Sequence, residues 1–195
     1  MEKGLLPESA PLSEGPCAPG REDFDSLVRL HRPRIFRFLL ASLRDREAAE
    51  NLVQDCFVRA YKGRDQFRGS SSFATWLMHI AANLVRDHEA SHRLKFWRRQ
   101  PRVDPNEVSD WIPDPQKSPE ALACAKEQVA AIWRAAERLP ERQRTVFLLR
   151  FVEEMELLEI AAVTGMKEGT VKTHLFRAVK SVRLGLSEGR LEEGR

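Results

Sequence analysis

One stretch limits what this chain can become more than any other: IAAVTGMKEGTVKTHLFRAVKSVR, from Ile160 to Arg183. It reads as two short helices joined by a tight turn. Ile160 and Ala161 lie on the buried side of the first helix, and Gly165 stops it, because glycine tolerates the left-handed backbone of a sharp helix end. Met166 is the apolar plug of the turn. Glu168 opens the second helix, where a carboxylate suits the positive end of the dipole. Val171, Leu175, Ala178, Val179 and Val182 recur at helical spacing and form its inner stripe. Lys172, Thr173, Phe176, Arg177 and Lys180 occupy the outer face. Five Lys or Arg stand against one Glu between Lys167 and Arg183. This order of small residue, glycine, plug and basic face is that of a helix-turn-helix whose second helix enters a DNA major groove. An ordinary helical hairpin with a solvated basic face is the plainer alternative.

The whole chain announces no nucleic acid. Its 195 residues carry a net charge of only +3, so any such partner must be met by local patches. The length suits one domain or two small ones, and a hydrophobic fraction of 42% supports a core. Cys17, Cys56 and Cys124 are too scattered for a disulfide framework or a metal site. Cys56 falls on an apolar stripe and reads as a core thiol. No apolar run is long enough to span a bilayer. The N-terminus has acids and prolines where a signal peptide needs a basic and then an apolar run. Reduced thiols and a cytoplasmic location follow as expectations.

Residues 1–20 hold four Pro and three Gly without periodicity and read as a disordered tail. From Phe24 onward apolar residues return at helical spacing, with Phe24, Leu27, Leu30, Ile35, Phe38 and Leu39 as core candidates. Pro33 should end, kink or restart that helix near His31. Asp45 reads as the cap of the next helix, Arg46–Arg64. Its stripe is Ala49, Leu52, Val53, Cys56, Phe57 and Ala60. Its other face, Glu50, Asn51, Gln54, Asp55 and Arg59, is on composition only a solvated one. Gly69 and Ser70–Ser72 form a loop between Phe67 and Phe73, and Ser72 can cap the helix that follows. That helix has Phe73, Trp76, Leu77, Ile80, Ala81, Leu84 and Val85 inside. His79, Asn83 and Arg86 share the opposite face. Six Lys or Arg against two acids between Arg86 and Arg102, with Phe96 and Trp97 among them, suit single-stranded nucleic acid or, equally, a plain basic surface.

Residues 100–118 change character, with four prolines and four acids, and read as an extended acidic linker. Beyond it Leu122, Ala125, Val129, Ile132, Ala136 and Leu139 give one long helix. Pro140 suits the first turn of the next, which carries Val146, Leu149, Phe151 and Val152. After the helix-turn-helix, residues 185–195 are charged and glycine-containing and should fray.

Taken together, AAENLVQDCFVRAY, FRGSSSFATWLMHIAANLVRD and LPERQRTVFLLRFVEEMELLEIAAVTGMKEGTVKTHLFRAVKSVR resemble the sigma-70 family of bacterial transcription initiation factors. The compact form is similar to the extracytoplasmic-function class. The resemblance implies an all-α protein of two small helical domains joined by the acidic linker, the second ending in the helix-turn-helix. Their spans would be 21–99 and 119–187, flanked by tails at 1–20 and 188–195. It implies promoter recognition without covalent chemistry, and no cofactor or metal. Asn51, Gln54, Asp55 and Arg59 would dock on the clamp helices of core RNA polymerase, whose flap is a further contact. Arg68, Ser70, Ser71, Ser72, Phe73, Trp76, His79, Asn83 and Arg86 would take unstacked bases of the minus-ten element. Lys172, Thr173, His174, Phe176, Arg177 and Lys180 would read the minus-thirty-five element. The linker would thread toward the RNA exit path, and an anti-sigma protein is a further implied partner, with no membrane insertion. Three departures matter. Asn51 stands where the family usually has Asp. Glu154 and Glu156 replace a common Gly and Ser, which should weaken the capping before the helix-turn-helix. His174 stands where relatives are often basic. A dimeric helix-turn-helix regulator of duplex DNA is the rival, but the Phe67–Asn83 loop and helix would then have no task.

Overall fold

The computed structural model of the chain describes residues 21–67, 69, 71–94 and 119–193. Among these residues every regular element is helical. The first half contains α1 (Arg21–Leu43), α2 (Arg46–Gly63), a single 3-10 turn at Arg64–Gln66, and α3 (Phe73–Leu94). The second contains α4 (Pro119–Glu137), α5 (Glu141–Phe151), α6 (Leu157–Thr164) and α7 (Glu168–Glu193). The expected tail at 1–20, the linker at 100–118, the basic run 95–99, Cys17, Arg68 and Ser70 lie outside the described residues.

Helices α1, α2 and α3 pack on one another in all three pairings. Ile35, Phe38 and Leu39 of α1 meet Val53 and Cys56 of α2 and Leu77, Ala81 and Val85 of α3, all nearly inaccessible to solvent. Burying one such side chain contributes roughly 1.5–3 kcal/mol. Burial also pushes the Cys56 thiol up to about 12. Its Sγ lies 3.7 Å from the Leu77 carbonyl oxygen, so it is the inert core thiol expected. Asp45 caps α2, its Oδ1 accepting from the Ala48 amide at 2.9 Å. Ser72 caps α3, its Oγ accepting from the Thr75 amide at 3.1 Å.

Four expectations need correcting. Pro33 neither ends nor restarts a helix: α1 runs through it. The proline removes one backbone donor, but Ile35, Phe38 and Leu39 just beyond it are pinned in the core. Leu30 is 69% exposed and Phe151 55%; each falls at the margin of its stripe. The end of α7 does not fray at Gly185 but continues to Glu193. Gly185 packs on α4 there, with Ala135 Cβ only 3.2 Å from where a Cβ on residue 185 would sit. Capping before the helix-turn-helix is not weak either. Glu156 and Glu159 form a reciprocal capping box at the start of α6, the Glu156 amide donating to Glu159 Oε2 at 2.9 Å, which satisfies orphan donors of the first turn.

The two halves also pack against each other, α3 on α6 and α1 on α5.

Candidate nucleic-acid interface

The helix-turn-helix forms as its residues dictate. Ile160 and Val163 of α6 are fully buried, Gly165 takes φ 69° at the helix end, and Met166 packs half-buried against the core. Along α7, Val171, Ala178 and Val182 face inward. Lys172, Thr173, Phe176, Arg177 and Lys180 are all exposed, so the sequence brings five outward groups onto one free face. Phe176 is 70% exposed. Lys172 Nζ pairs with Glu168 at 2.6 Å. The Thr173 hydroxyl donates back to the Gly169 carbonyl at 2.9 Å. His174 turns partly inward, and its Nδ1 is buried without a hydrogen-bond partner among the described residues. Burial, then Arg142 and Arg177, hold its pKa below the ordinary imidazole value, so it is neutral at pH 7.

The loop and helix of the first half are arranged differently. Phe73 sits amid aromatic rings. It meets Phe24 and Phe67 edge to face at 6.3 and 5.7 Å, and Trp76 at 5.5 Å. Phe67 in turn lies 5.3 Å from Trp76. These rings anchor both ends of the loop that holds Ser71 and Ser72, and Trp76 and Phe73 remain partly accessible. Further along α3, His79, Asn83 and Arg86 share one face as expected; Arg86 is exposed, but His79 and Asn83 are half-buried and face the second half of the chain. His79 Nδ1 lies 2.7 Å from the Val163 carbonyl oxygen of α6, and its Nε2 lies 3.0 Å from Asn83 Nδ2. The partners assign the tautomer: Nδ1–H donates to the carbonyl, and Nε2 accepts from the amide. A half-open cleft of about 200 Å³ lies beside this contact, lined by Ala82, Asn83, Arg86, Thr145, Val163 and Met166 among others.

Asn51, Gln54, Asp55 and Arg59 all lie exposed on the outer side of α2. Arg59 reaches Asp87 of α3 at 3.6 Å, an exposed pair of little energetic weight.

Sequence reasoning missed a polar cluster where α1 meets the turn after α5. The Glu153 side chain is wholly buried there. Its Oε2 accepts from Arg34 Nε at 2.7 Å and from Arg37 Nη2 at 3.0 Å. Its Oε1 accepts from Arg37 Nε at 3.0 Å, and Arg34 Nη2 donates to its backbone carbonyl at 3.1 Å. Hydrogen bonding to Glu153 raises the pKa of Arg37. Two further ion pairs join the halves: Arg44 to Glu137 at 2.8 Å, and Arg144 to Glu89. Nothing local marks these groups in the sequence, since the partners of Glu153 lie 119 and 116 residues away.

Two family models match the chain. Residues 27–103 match the family model of sigma-70 region 2, and residues 130–182 that of sigma-70 region 4. The RNA polymerase sigma-H factor of Pseudomonas aeruginosa is 30% identical over 165 residues, 82% of this chain and 83% of that protein. The ECF RNA polymerase sigma-E factor of Escherichia coli K12 is 32% identical over 138 residues, 68% of this chain and 70% of that protein. Among solved structures, the sigma factor RpoE of Bartonella quintana, crystallised with the anti-sigma factor NepR, shares the fold. Its TM-score is 0.60 at 23% identity, covering 85% of this chain and 98% of that one. A duplex-binding dimer leaves the region 2 match without a purpose.

Proposed function

Because the chain belongs to the extracytoplasmic-function class of the sigma-70 family, and is therefore a promoter-specificity factor of RNA polymerase, we propose a division of labour between its halves. Residues 21–99 form the unit that grips polymerase and the minus-ten element, and residues 119–187 the unit that reads the minus-thirty-five element. Residues 100–118 are the connection between them, threading the enzyme toward the RNA exit path. Lys172, Thr173, Phe176, Arg177 and Lys180 meet the major groove. The observation that carries this is that five side chains of α7 are exposed on one face while Val171, Ala178 and Val182 of the same helix are buried. Cations there neutralise phosphates, and base edges are read by the side chains nearest the helix start.

In the first half, the loop 68–73 with Trp76, His79, Asn83 and Arg86 takes bases of the separated strand. Unstacking a base costs a few kcal/mol, which stacking on the Phe67–Phe73–Trp76 rings and hydrogen bonds to Asn83 offset. The exposed face Asn51, Gln54, Asp55 and Arg59 docks on the clamp helices of polymerase. The chain itself carries out no covalent step. It works in the cytoplasm, where transcription takes place, and no helix among the described residues is long and apolar enough to cross a membrane. An anti-sigma protein is its natural regulator, as NepR is for the Bartonella relative.

Run-off transcription with core polymerase tests the site assignment. Asn83→Ala abolishes promoter opening while leaving duplex capture intact. Arg177→Ala weakens minus-thirty-five recognition by about 1–3 kcal/mol, the worth of one good base or phosphate contact. Normal transcription by both variants sinks the assignment.

A further inference from the structure

The outward groups of α7 are not alike, and the contacts around them sort them. Lys172 Nζ pairs with Glu168, one turn nearer the helix start, at 2.6 Å. The Thr173 hydroxyl donates to the Gly169 carbonyl of its own helix at 2.9 Å. With its oxygen turned back onto the backbone, this branched side chain presents its Cγ2 methyl outward. Phe176 follows three residues on, which makes it a surface neighbour of Thr173, and its ring is 70% exposed. The two residues lie about 4.5 Å apart along the helix axis, close to the roughly 3.4 Å between successive base pairs. Arg177 and Lys180 are exposed beside them. A methyl group and a phenyl ring are thus set side by side among cations, in the middle of the face assigned above to the major groove.

We propose that Thr173 and Phe176 act as one apolar reader, and that the base they recognise is a thymine, through its C5-methyl group. The inference rests on the reading of α7 as the minus-thirty-five helix. Among the four bases only thymine carries a methyl group into the major groove, and threonine methyls and phenyl rings are the partners that suit it. A free threonine hydroxyl would bond to several bases, as donor to some and acceptor to others. Committing that hydroxyl to Gly169 removes the ambiguity and leaves shape and apolarity as what is read. The pairing of Lys172 with Glu168 keeps one cation oriented toward the helix start, away from Phe176. Arg177 and Lys180 then serve the phosphates and base edges on either side of the thymine. Specificity at this one position comes from apolar contact, and charge supplies the affinity around it.

The test begins with transcription by the full chain and core polymerase from a promoter pool randomised over ~10 base pairs of the upstream element, about one turn of DNA. Each enriched thymine is then replaced by deoxyuridine, which keeps every hydrogen-bonding group and removes only the methyl. At one position this weakens promoter capture by the wild-type holoenzyme about three- to fivefold, the factor that one methyl group buried from water carries. Thr173→Val keeps the methyl, drops the hydroxyl and retains the thymine-to-uracil ratio. Thr173→Ser and Phe176→Ala each lower the ratio, and the double variant brings it to one. All these positions are exposed, and thermal unfolding confirms that the variants fold. Equal capture of thymine and uracil promoters by the wild type overturns the inference. So does a ratio that survives in the double variant, or one that Thr173→Val abolishes, because the hydroxyl would then be the reader. If α7 does not read the element at all, the inference falls with a different signature: no upstream sequence is enriched and Arg177→Ala transcribes normally.

Discussion

The chain carries two candidate DNA-reading helices, and they are kept in opposite states. On α7 the reading face is bare: Lys172, Phe176 and Arg177 project with no contact to the first half described for them, and the opposite stripe is sunk in the core. On α3 the middle of the proposed reading face is sheltered, with His79 and Asn83 tied into hydrogen bonds beside α6, while Arg86 is exposed. The difference follows the state of the DNA each would meet. A duplex is always present, and a helix that reads it loses little by staying exposed, since non-specific phosphate attraction is weak at physiological salt. A separated strand exists only after polymerase has begun to open the promoter. Polar groups poised for it would, if left bare, be open to any single strand available; the loop rings Phe73 and Trp76 stay partly accessible.

The comparison breaks most completely if the cover itself is loosened. Ile160 of α6 is fully buried in the core of the second half. Ile160→Ala costs about 2–5 kcal/mol by lost transfer energy and the cavity left behind, read by urea denaturation. The same variant should lose protection at His79 while the amides of α2 and α3 keep theirs in hydrogen exchange. If the α1–α3 bundle loses its protection in step with α6, the halves are one cooperative unit and the contrast between a sheltered and a bare helix loses its meaning.

Much of this fold is legible in the sequence, because helical periodicity and caps are local. The stripes of α2 and α3, the caps at Asp45 and Ser72, and the Gly165 stop all follow from residues within a turn or two of one another. The exposed face of α7 is legible for the same reason, since a helix that buries Val171, Ala178 and Val182 must present Lys172, Phe176 and Arg177. What escapes is what depends on the partner half. Leu30 and Phe151 fit their stripes by spacing yet lie exposed. Glu153 reads as one more charge in an acidic turn, since the arginines that bury it are more than a hundred residues away. His79 and Asn83 share a face by periodicity alone, but only the tertiary structure turns that face onto α6.

A smaller pair of changes sharpens the contrast by altering α6 without displacing it. The helix is bracketed by two left-handed residues, Glu154 at φ 55° before it and Gly165 at φ 69° after it. Glycine takes that backbone freely, and a side chain there costs on the order of 1 kcal/mol. Gly165→Ala should therefore destabilise the second half by about 1 kcal/mol although the space around it is open. Glu154→Gly should stabilise it by somewhat less, because glycine also gains entropy in the unfolded chain. Thermal unfolding checks both signs. Gly165→Ala should not alter the protection of His79 against carbethoxylation; a change there would mean that backbone strain in the turn, and not the ionic seam, keeps α6 in place, a test Glu154→Gly cannot make because it also removes a charge acting on Arg37.

The smallest expected effect lies on the bare helix. Burial, then Arg142 and Arg177, keep the His174 pKa below the ordinary imidazole value. The sign follows directly. A group whose folded pKa is depressed stabilises the fold above its unfolded pKa, and that contribution is lost as pH falls through the folded value. Near neutral pH His174 is thus uncharged and offers DNA no cation. DNA phosphates favour the protonated ring, so binding of a minus-thirty-five duplex should strengthen as pH falls below neutrality. The dependence of log affinity on log salt should steepen by about one phosphate's worth of counterion release. His174→Gln should bind like the wild type at neutral pH and lack the acid enhancement, and His174→Arg should show the steeper salt slope at every pH. The α3 face supplies the internal control. Binding of a single-stranded minus-ten oligonucleotide by the holoenzyme should not follow His174 at all, and if it does, the two reading faces are not the separate devices that their different exposure implies.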